Sequence, residues 1–364
     1  MMRSFRGGLI GCGFFARNHL HAWQEVEGAD IVALSDIDGS RAEAYGREFG
    51  IQGAYADAEE MLGAKSLDFV DIVTGPQAHR PLVELAARHE MHVICQKPLA
   101  PSLEDARAMV DACRDAGVTF MVHENFRWRA PMRAAKEAAG GLGEVFFGRM
   151  YWRTAFDIFS RQPYLAEDPR FVIYDVGVHL LDLARFYMGE VEQLYCQTQQ
   201  VNPTVKGEDV ATIVLKMTSG ATCLVELSYA SKLEKESFPQ VLVELEATDG
   251  SVSLGPDFRL AVVSADGVTT RTAGPHVFPW ADAPNEATQE SVVRIQEHWV
   301  ACRREGREPE TSGADNLRTL ELVFGAYESA ETGLPYKVGP DWKNVFEPEN
   351  LRESVERITE GPGA

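Results

Sequence analysis

The sequence predicts an α/β protein: an N-terminal Rossmann domain followed by a C-terminal α/β domain built on a large open, mostly antiparallel sheet. Three observations carry this expectation. Residues 8–19, GLIGCGFFARNH, set a G-x-G-x-x-A turn between a short apolar run and a helical pattern. The first third alternates β-branched runs with helical segments, the rhythm of a parallel sheet covered on both faces. Beyond about residue 145, strand-like runs follow one another directly between glycines, as in a meander. A chain of 364 residues is long enough for two cores. The boundary is expected at 125, with a dinucleotide-binding domain over 1–125 and a substrate-binding and oligomerisation domain over 126–364.

Taken in order, GLIG, IVALSD (31–36), DFVDIVT (68–74), MHVICQ (91–96) and VTFMVH (118–123) read as strands. Between them, residues 14–27, 38–49, 79–89 and 102–116 carry apolar positions at helical spacing; Leu103, Ala106, Met109, Val110 and Cys113 are one such set. Ser102, with Asp105 three residues on, is the expected N-cap of that helix, and Gly117 its stop. In the second part a helix is expected near 176–188. The runs VEQLYCQTQQ, DVATIVLKM, ATCLVELSYA, QVLVELEAT, GSVSLG and RLAVVSA then supply strands, and helices follow over 286–304 and 313–331. The terminal EGPGA is expected to fray.

Charge and composition exclude several classes of function. A formal net charge of -20 would repel nucleic acid and anionic lipid, so neither is an expected partner. No run approaches the eighteen or so apolar residues that span a bilayer. Leu9-Ile10-Gly11-Cys12 has the letters of a lipoprotein cleavage box, but a signal core of about 7–15 apolar residues cannot fit between Arg6 and Cys12. The six cysteines lie far apart without a C-x-x-C pair, which predicts neither zinc nor a disulfide framework and points to a reducing cytoplasm.

The glycine turn has a specific chemistry. Gly11 permits the sharp step from strand to helix, and the missing side chain of Gly13 lets a pyrophosphate reach the N–H groups that open the helix. Phe14 and Phe15 supply such N–H groups, and Ala16 keeps helix and sheet close. A lone match of this kind fits many turns. Here the second strand also ends at Asp36, 23 residues past Gly13, where a carboxylate binds the adenosine ribose hydroxyls. Such a carboxylate repels a 2′-phosphate and favours NAD over NADP, although Arg41 stands near enough in sequence to receive that phosphate. Alone, Asp36 would read equally as a turn residue.

Lys97 follows a predicted strand at the carboxyl edge of the sheet, where doubly wound folds bind their ligands. Asp175 and His179 are four apart, hence on one face of one helix. An imidazole there can accept a proton from a substrate hydroxyl while the carboxylate binds a neighbouring hydroxyl or the ring itself. The lysine ammonium can donate to the same hydroxyl and stabilise the charge that develops on its oxygen. Taken singly, a histidine on an apolar helix is more often a core residue, and an exposed lysine before proline is usually without a role. No metal is expected, since these three residues do not make a ligand set.

With these residues in place, the sequence resembles the glucose-fructose oxidoreductase, inositol dehydrogenase and MocA-like family. ICQKP (94–98) is similar to its E-K-P element, YDVGVHLLDLARFYMGE (174–190) to its D-x-G-x-H helix, and TGPQAH (74–79) to its third-strand loop over the cofactor. The resemblance runs from residue 5 to about 335. It implies that Phe14, Phe15, Thr74, Pro76, Gln77, His79, Gln96, Lys97, Asn125 and Gln162 join Gly11, Gly13 and Asp36 around the dinucleotide, His79 being open to reading as a plain helix-start residue. It also implies that Lys97, Arg127, Trp152, Asp175 and His179 face the substrate. Within HENFRWRAP (123–131), Arg127 and Trp128 either line the pocket or merely join the domains; Tyr151, Arg153 and Tyr164 are further pocket candidates.

Two departures from the family pattern stand out. Gln96 replaces the usual Glu, which removes a negative charge beside Lys97 and should ease its deprotonation. Val172, Ile173 and Tyr174 replace a glycine-rich approach to the Asp, which predicts a narrower pocket and a small sugar. The implied activity is NAD-dependent oxidation of a small cyclic sugar by hydride transfer to nicotinamide, with Lys97, Asp175 and His179 catalytic. Another sugar or inositol dehydrogenase, an NAD-dependent glycosidase, and a noncatalytic sugar-sensing regulator are the rivals; retention of all three polar residues speaks against the last. A wide sheet with apolar residues on both faces implies a homodimer or homotetramer.

Overall fold

The computed structural model describes residues 3–64, 66–160 and 162–339, so the terminal EGPGA lies outside the described residues. The first half alternates β1 (Phe5–Ile10), α1 (Ala16–Glu25), β2 (Ala29–Ser35), α2 (Gly39–Phe49), β3 (Gly53–Tyr55), α3 (Ala58–Ala64), β4 (Phe69–Ile72), α4 (Pro76–Arg88), β5 (His92–Gln96), α5 (Leu103–Asp115) and β6 (Phe120–His123). The strands form one parallel sheet in the order β3-β2-β1-β4-β5-β6, doubly wound as expected. β4 and β6 are buried at every position, which helices on both faces require. Ser102 caps α5 by accepting from Asp105 N–H at 3.0 Å, and Gly117 follows the helix in the left-handed region. The brief β3 and α3 were not among the expected elements, because three to seven residues are too few for a periodicity to show.

A 3-10 turn (Phe126–Trp128) leads into α6 (Ala130–Ala139) and β7 (Val145–Arg153). Next come α7 (Tyr164–Glu167), a π-helical turn (Ile173–Gly177), α8 (Val178–Met188), β8 (Val191–Gln199), β9 (Val210–Met217), β10 (Thr222–Ser228), β11 (Leu242–Ala247), β12 (Gly250–Leu254), β13 (Arg259–Ser264) and β14 (Gly267–Thr272). α9 (Glu286–Glu305), α10 (Gly313–Thr332) and β15 (Tyr336–Lys337) complete the described chain. Among the described residues the second sheet has nine strands in the order β14-β13-β12-β11-β7-β10-β9-β8-β15, antiparallel throughout except where β7 meets β10. β7 was not anticipated: aromatics on both of its faces hide the alternation, although only Gly148, Met150 and Trp152 are buried.

The two halves interpenetrate. α9 belongs to the second half by sequence, yet Val292, Ile295 and Trp299 pack with Trp23 of α1 and with Phe69, Ile94 and Met121 of the first sheet. Thr311 O accepts from Val122 N–H at 2.8 Å, and Thr311 Oγ1 donates back to Val122 O at 2.9 Å. A single cut after residue 125 therefore leaves one covering helix of the Rossmann sheet on the far side. Among the described residues no helix is long and apolar enough to cross a membrane.

The join is fastened by buried charge. Arg127 grips Asp182 on α8 through Nε at 2.5 Å and Nη2 at 2.7 Å, and reaches Asp315 on α10 at 2.9 Å. Arg185 donates to the same Asp315 at 2.8 Å and to Glu190. Removing one partner strands the other charge away from water. Asp182→Ala is expected to lower stability by about 3–5 kcal/mol in urea unfolding, and Asp182→Leu combined with Arg127→Met by much less.

Candidate active site

Gly11 stands where β1 turns toward α1. Its φ of 97° is left-handed, and a Cβ there would lie 2.6 Å from Val73 O, so the turn admits no side chain. Around Gly13 a Cβ would meet nothing within 4 Å. The following helix has no side-chain cap and no acidic residue in its first turn, and while Ala16 N–H donates to Gly13 O at 3.2 Å, the N–H groups of Phe14 and Phe15 remain for an anion. Cys12, Gly13, Phe14, Arg41, Ala44 and Tyr45 line a groove of about 360 Å³ beside it. Asp36 ends the strand as expected: its Oδ2 accepts from Cys12 N–H at 2.7 Å and its Oδ1 from Asp38 N–H at 2.9 Å. A carboxylate so oriented retains lone pairs for ribose hydroxyls. Burial and Asp36 push the Cys12 thiol up to about 12, so it is no nucleophile. The residues fit a dinucleotide: an open cradle, unclaimed N–H groups and an acid at the ribose position.

The second cluster joins the halves. Lys97 lies one residue beyond β5, and its Nζ donates to Asp175 Oδ1 and to the Asp175 carbonyl, both at 2.9 Å. Asp175 sits in the π-helical turn, not on α8 itself, while His179 is in the first turn of α8. The wide turn sets the carboxylate and the imidazole on the side that faces β5. His179 Nδ1 hydrogen-bonds Glu124 Oε1, and its ring lies flat on Phe126, centroids 3.6 Å apart. Arg129 covers the opposite face of Phe126 at 3.4 Å, held by Pro239 O and Thr288 Oγ1. Burial, then the charges of Lys97 and Arg129, hold the imidazole well below its ordinary pKa. Burial pushes Glu124 up to about 7.

The remaining expected residues divide. Thr74, Pro76 and Gln77 form the loop that opens α4 at the carboxyl edge, beside the glycine turn. Phe14 is 73% exposed over the groove, with Phe15 half-buried behind it. Gln96 is buried at the end of β5, its Oε1 accepting from Lys97 N–H at 2.8 Å. His79 has no exposed surface and faces the Leu99 and Thr74 carbonyls, where it braces the loop. Asn125 donates to Ser291 at 2.6 Å and is committed to α9. Arg127, with its fork closed on Asp182, joins the domains and is not free for substrate. Trp152 is buried edge-on to Phe238, a wall behind Phe126, and Gln162 accepts from Tyr164 O–H at 2.6 Å. Tyr174 O–H is turned away to Ala100 O at 2.9 Å.

Glu124, Phe126 and Arg129 were missed, although all three lie in the stretch read as a linker. A carboxylate at the end of an apolar strand, VTFMVHE, was the available signal; its partner is 55 residues away.

A family model described as an oxidoreductase family with an NAD-binding Rossmann fold matches residues 5–124, and the GFO/IDH/MocA C-terminal domain matches 132–253. The D-apiose dehydrogenase of Paraburkholderia graminis is 53% identical over 91% of this chain and 89% of that protein. The D-apiose dehydrogenase of Rhizobium rhizogenes is 49% identical over 93% and 99%. The crystal structure of an oxidoreductase from Agrobacterium radiobacter, in complex with NAD+, L-tartaric acid and magnesium, superposes with a TM-score of 0.90 at 49% identity, covering 92% of this chain and 98% of that one.

The two glycines should separate folding from binding. Gly13→Val is expected to leave the melting temperature unchanged and to weaken NAD binding at least about tenfold in a fluorescence titration. Gly11→Ala should instead destabilise the fold by roughly 1–2 kcal/mol or more, because the left-handed backbone resists a Cβ.

Proposed function

The chain belongs to the GFO/IDH/MocA family of NAD-binding oxidoreductases, and on that premise we propose that it oxidises a small cyclic sugar, D-apiose, to D-apionolactone. The observation that carries this reading is the Lys97–Asp175 pair at the carboxyl edge of β5, within electrostatic reach of the His179 imidazole; the two D-apiose dehydrogenases among its relatives supply the sugar. Bound NAD supplies the acceptor for the hydride that leaves the carbinol carbon. His179 Nε2, which makes no hydrogen bond among the described residues, takes the hydroxyl proton. The Lys97 ammonium donates to that same oxygen and stabilises its negative charge until the C=O bond is complete. Asp175 holds the ammonium in place and accepts from a neighbouring hydroxyl. Gly13, Phe14, Phe15, Asp36, Thr74, Pro76 and Gln77 surround the dinucleotide.

Glu124 decides which ring nitrogen is basic. Its Oε1 already accepts from Phe126 N–H at 3.4 Å, so as a carboxylate it takes His179 Nδ1–H and leaves Nε2 a lone pair. Once protonated, it donates to Nδ1, the ring proton moves to Nε2, and the base is lost. Because burial places this carboxyl near 7, kcat/KM should climb with pH through about 7, and Glu124→Gln should abolish that limb. His179→Ala is expected to cut kcat by about 10²–10⁴. Incubation with NAD across a panel of aldoses, followed by NADH absorbance, should show the highest kcat/KM for D-apiose. Near-normal turnover of His179→Ala or Lys97→Ala would refute the assignment.

The enzyme is assigned to a reducing cytoplasm, in keeping with six free and buried cysteines. A homodimer or homotetramer is expected through the outer face of the second sheet. There Tyr195, Val214, Leu224 and Arg149 lie side by side across β8, β9, β10 and β7. Tyr195 is 40% exposed and Val214 38%, a row better covered than wet. Light scattering should report an oligomer for the native chain and a smaller species for Val214→Arg.

A further inference from the structure

Behind Lys97 a second buried polar chain runs to α1, and its donors and acceptors allow one arrangement only. Lys97 N–H is a donor, so the Gln96 side-chain oxygen, 2.8 Å away, must face it. The Gln96 amide nitrogen then lies 2.9 Å from His19 Nε2. An amide NH₂ only donates, which obliges His19 Nε2 to present a lone pair. At the other side of the ring, His19 Nδ1 is 2.8 Å from Asp71 Oδ2, the oxygen that also accepts from Trp23 Nε1–H at 2.8 Å. A carboxylate only accepts, so the single ring proton is on Nδ1. Both His19 and Asp71 are wholly buried.

We infer that His19, locked in this tautomer by Asp71 and Trp23, is a positioning residue for Lys97: it aims the Gln96 amide, and through it the backbone from which the reacting ammonium reaches Asp175. The inference rests on the catalytic reading of Lys97 given above. It also explains the amide at position 96. A carboxylate there accepts from Lys97 N–H equally well but meets the His19 lone pair with another lone pair, and is tolerated only if a proton joins the imidazole. Neutral His19 with Gln96 and imidazolium with Glu carry the same total charge, so the amide changes where a proton resides more than the field at Lys97. The other groups facing His19 do not supply that proton. His123, its ring 4.2 Å away, is kept neutral by burial, and the Cys95 thiol beside Asp71 is held protonated by burial.

Nitrogen NMR of the full chain labelled with ¹⁵N-histidine reads the tautomer directly. Expected is that the His19 signals, assigned by their loss in His19→Asn, show a protonated Nδ1 and an unprotonated Nε2, and that this Nε2 becomes protonated in Gln96→Glu. In that variant, kcat should fall toward high pH as the shared proton is lost. His19→Asn should lower kcat about tenfold or more while the KM for NAD stays within about threefold. A protonated Nε2 on His19 in the native chain, a His19 ring unmoved by Gln96→Glu, or a folded His19→Asn enzyme of native kcat would each overturn the inference. Lys97→Ala separates the two readings: retained turnover there defeats the catalytic role of Lys97, whereas the His19 ring signals report the tautomer regardless.

Discussion

The contact on which the rest depends is the ammonium of Lys97 against Asp175. It is the point where the carboxyl edge of one sheet meets a helix packed on the other, and both the side-chain oxygen and the carbonyl of Asp175 receive it. The lysine and aspartate side chains are 20% and 26% exposed, and a pair so open to water contributes little stability. Its value is geometric: it fixes an amine in the mouth between the domains. Stability at the join comes from elsewhere, from Arg127 with Asp182 and from Trp299 inserted beneath the Rossmann sheet.

Behind that contact, three sets of buried groups hold Lys97 and His179 from different directions. Arg129, Phe126 and His179 form a stack that permits the imidazole little rotation. Glu124 meets the ring at its Nδ1, and Gln96, backed by His19, accepts from the lysine N–H. None of these supports lies in the mouth itself. Each is far from water, where a hydrogen bond is strong and an unmade one costly. Polarity here is thus organised outward from the sheet, with Lys97 and Asp175 more exposed than the groups that support them.

What was legible in the chain is what local rules encode. The turn at Gly11 and Gly13, Asp36 at the end of β2, the Ser102 cap and the position of Lys97 after β5 each follow from a spacing of a few residues. Asp175 and His179 were legible as a pair, but the π-helical turn between them was not, since no propensity marks it. Glu124 and His19 escaped for a different reason: their meaning comes from partners 55 and 77 residues distant, and periodicity carries no such information. The resemblance put His79 at the dinucleotide and Arg127 at the substrate, each with a structural alternative beside it. The fold uses them to brace a loop and to close a seam instead.

The place of β7 in the second sheet has a consequence for how the chain comes to be assembled. It lies between β11 and β10, and its pairing with β10 is the one parallel pairing there among the described residues. Both neighbours emerge from the ribosome long after it does. Until they arrive, Phe146, Phe147, Tyr151 and Trp152 are an unpaired, aromatic-rich edge, the kind of surface that recruits other nascent chains. Both halves wait for distant segments, the Rossmann sheet for α9 and the second sheet for β10 and β11, a topology that slows folding. Chaperone demand in this protein is therefore concentrated in the interval between synthesis of β7 and synthesis of β11.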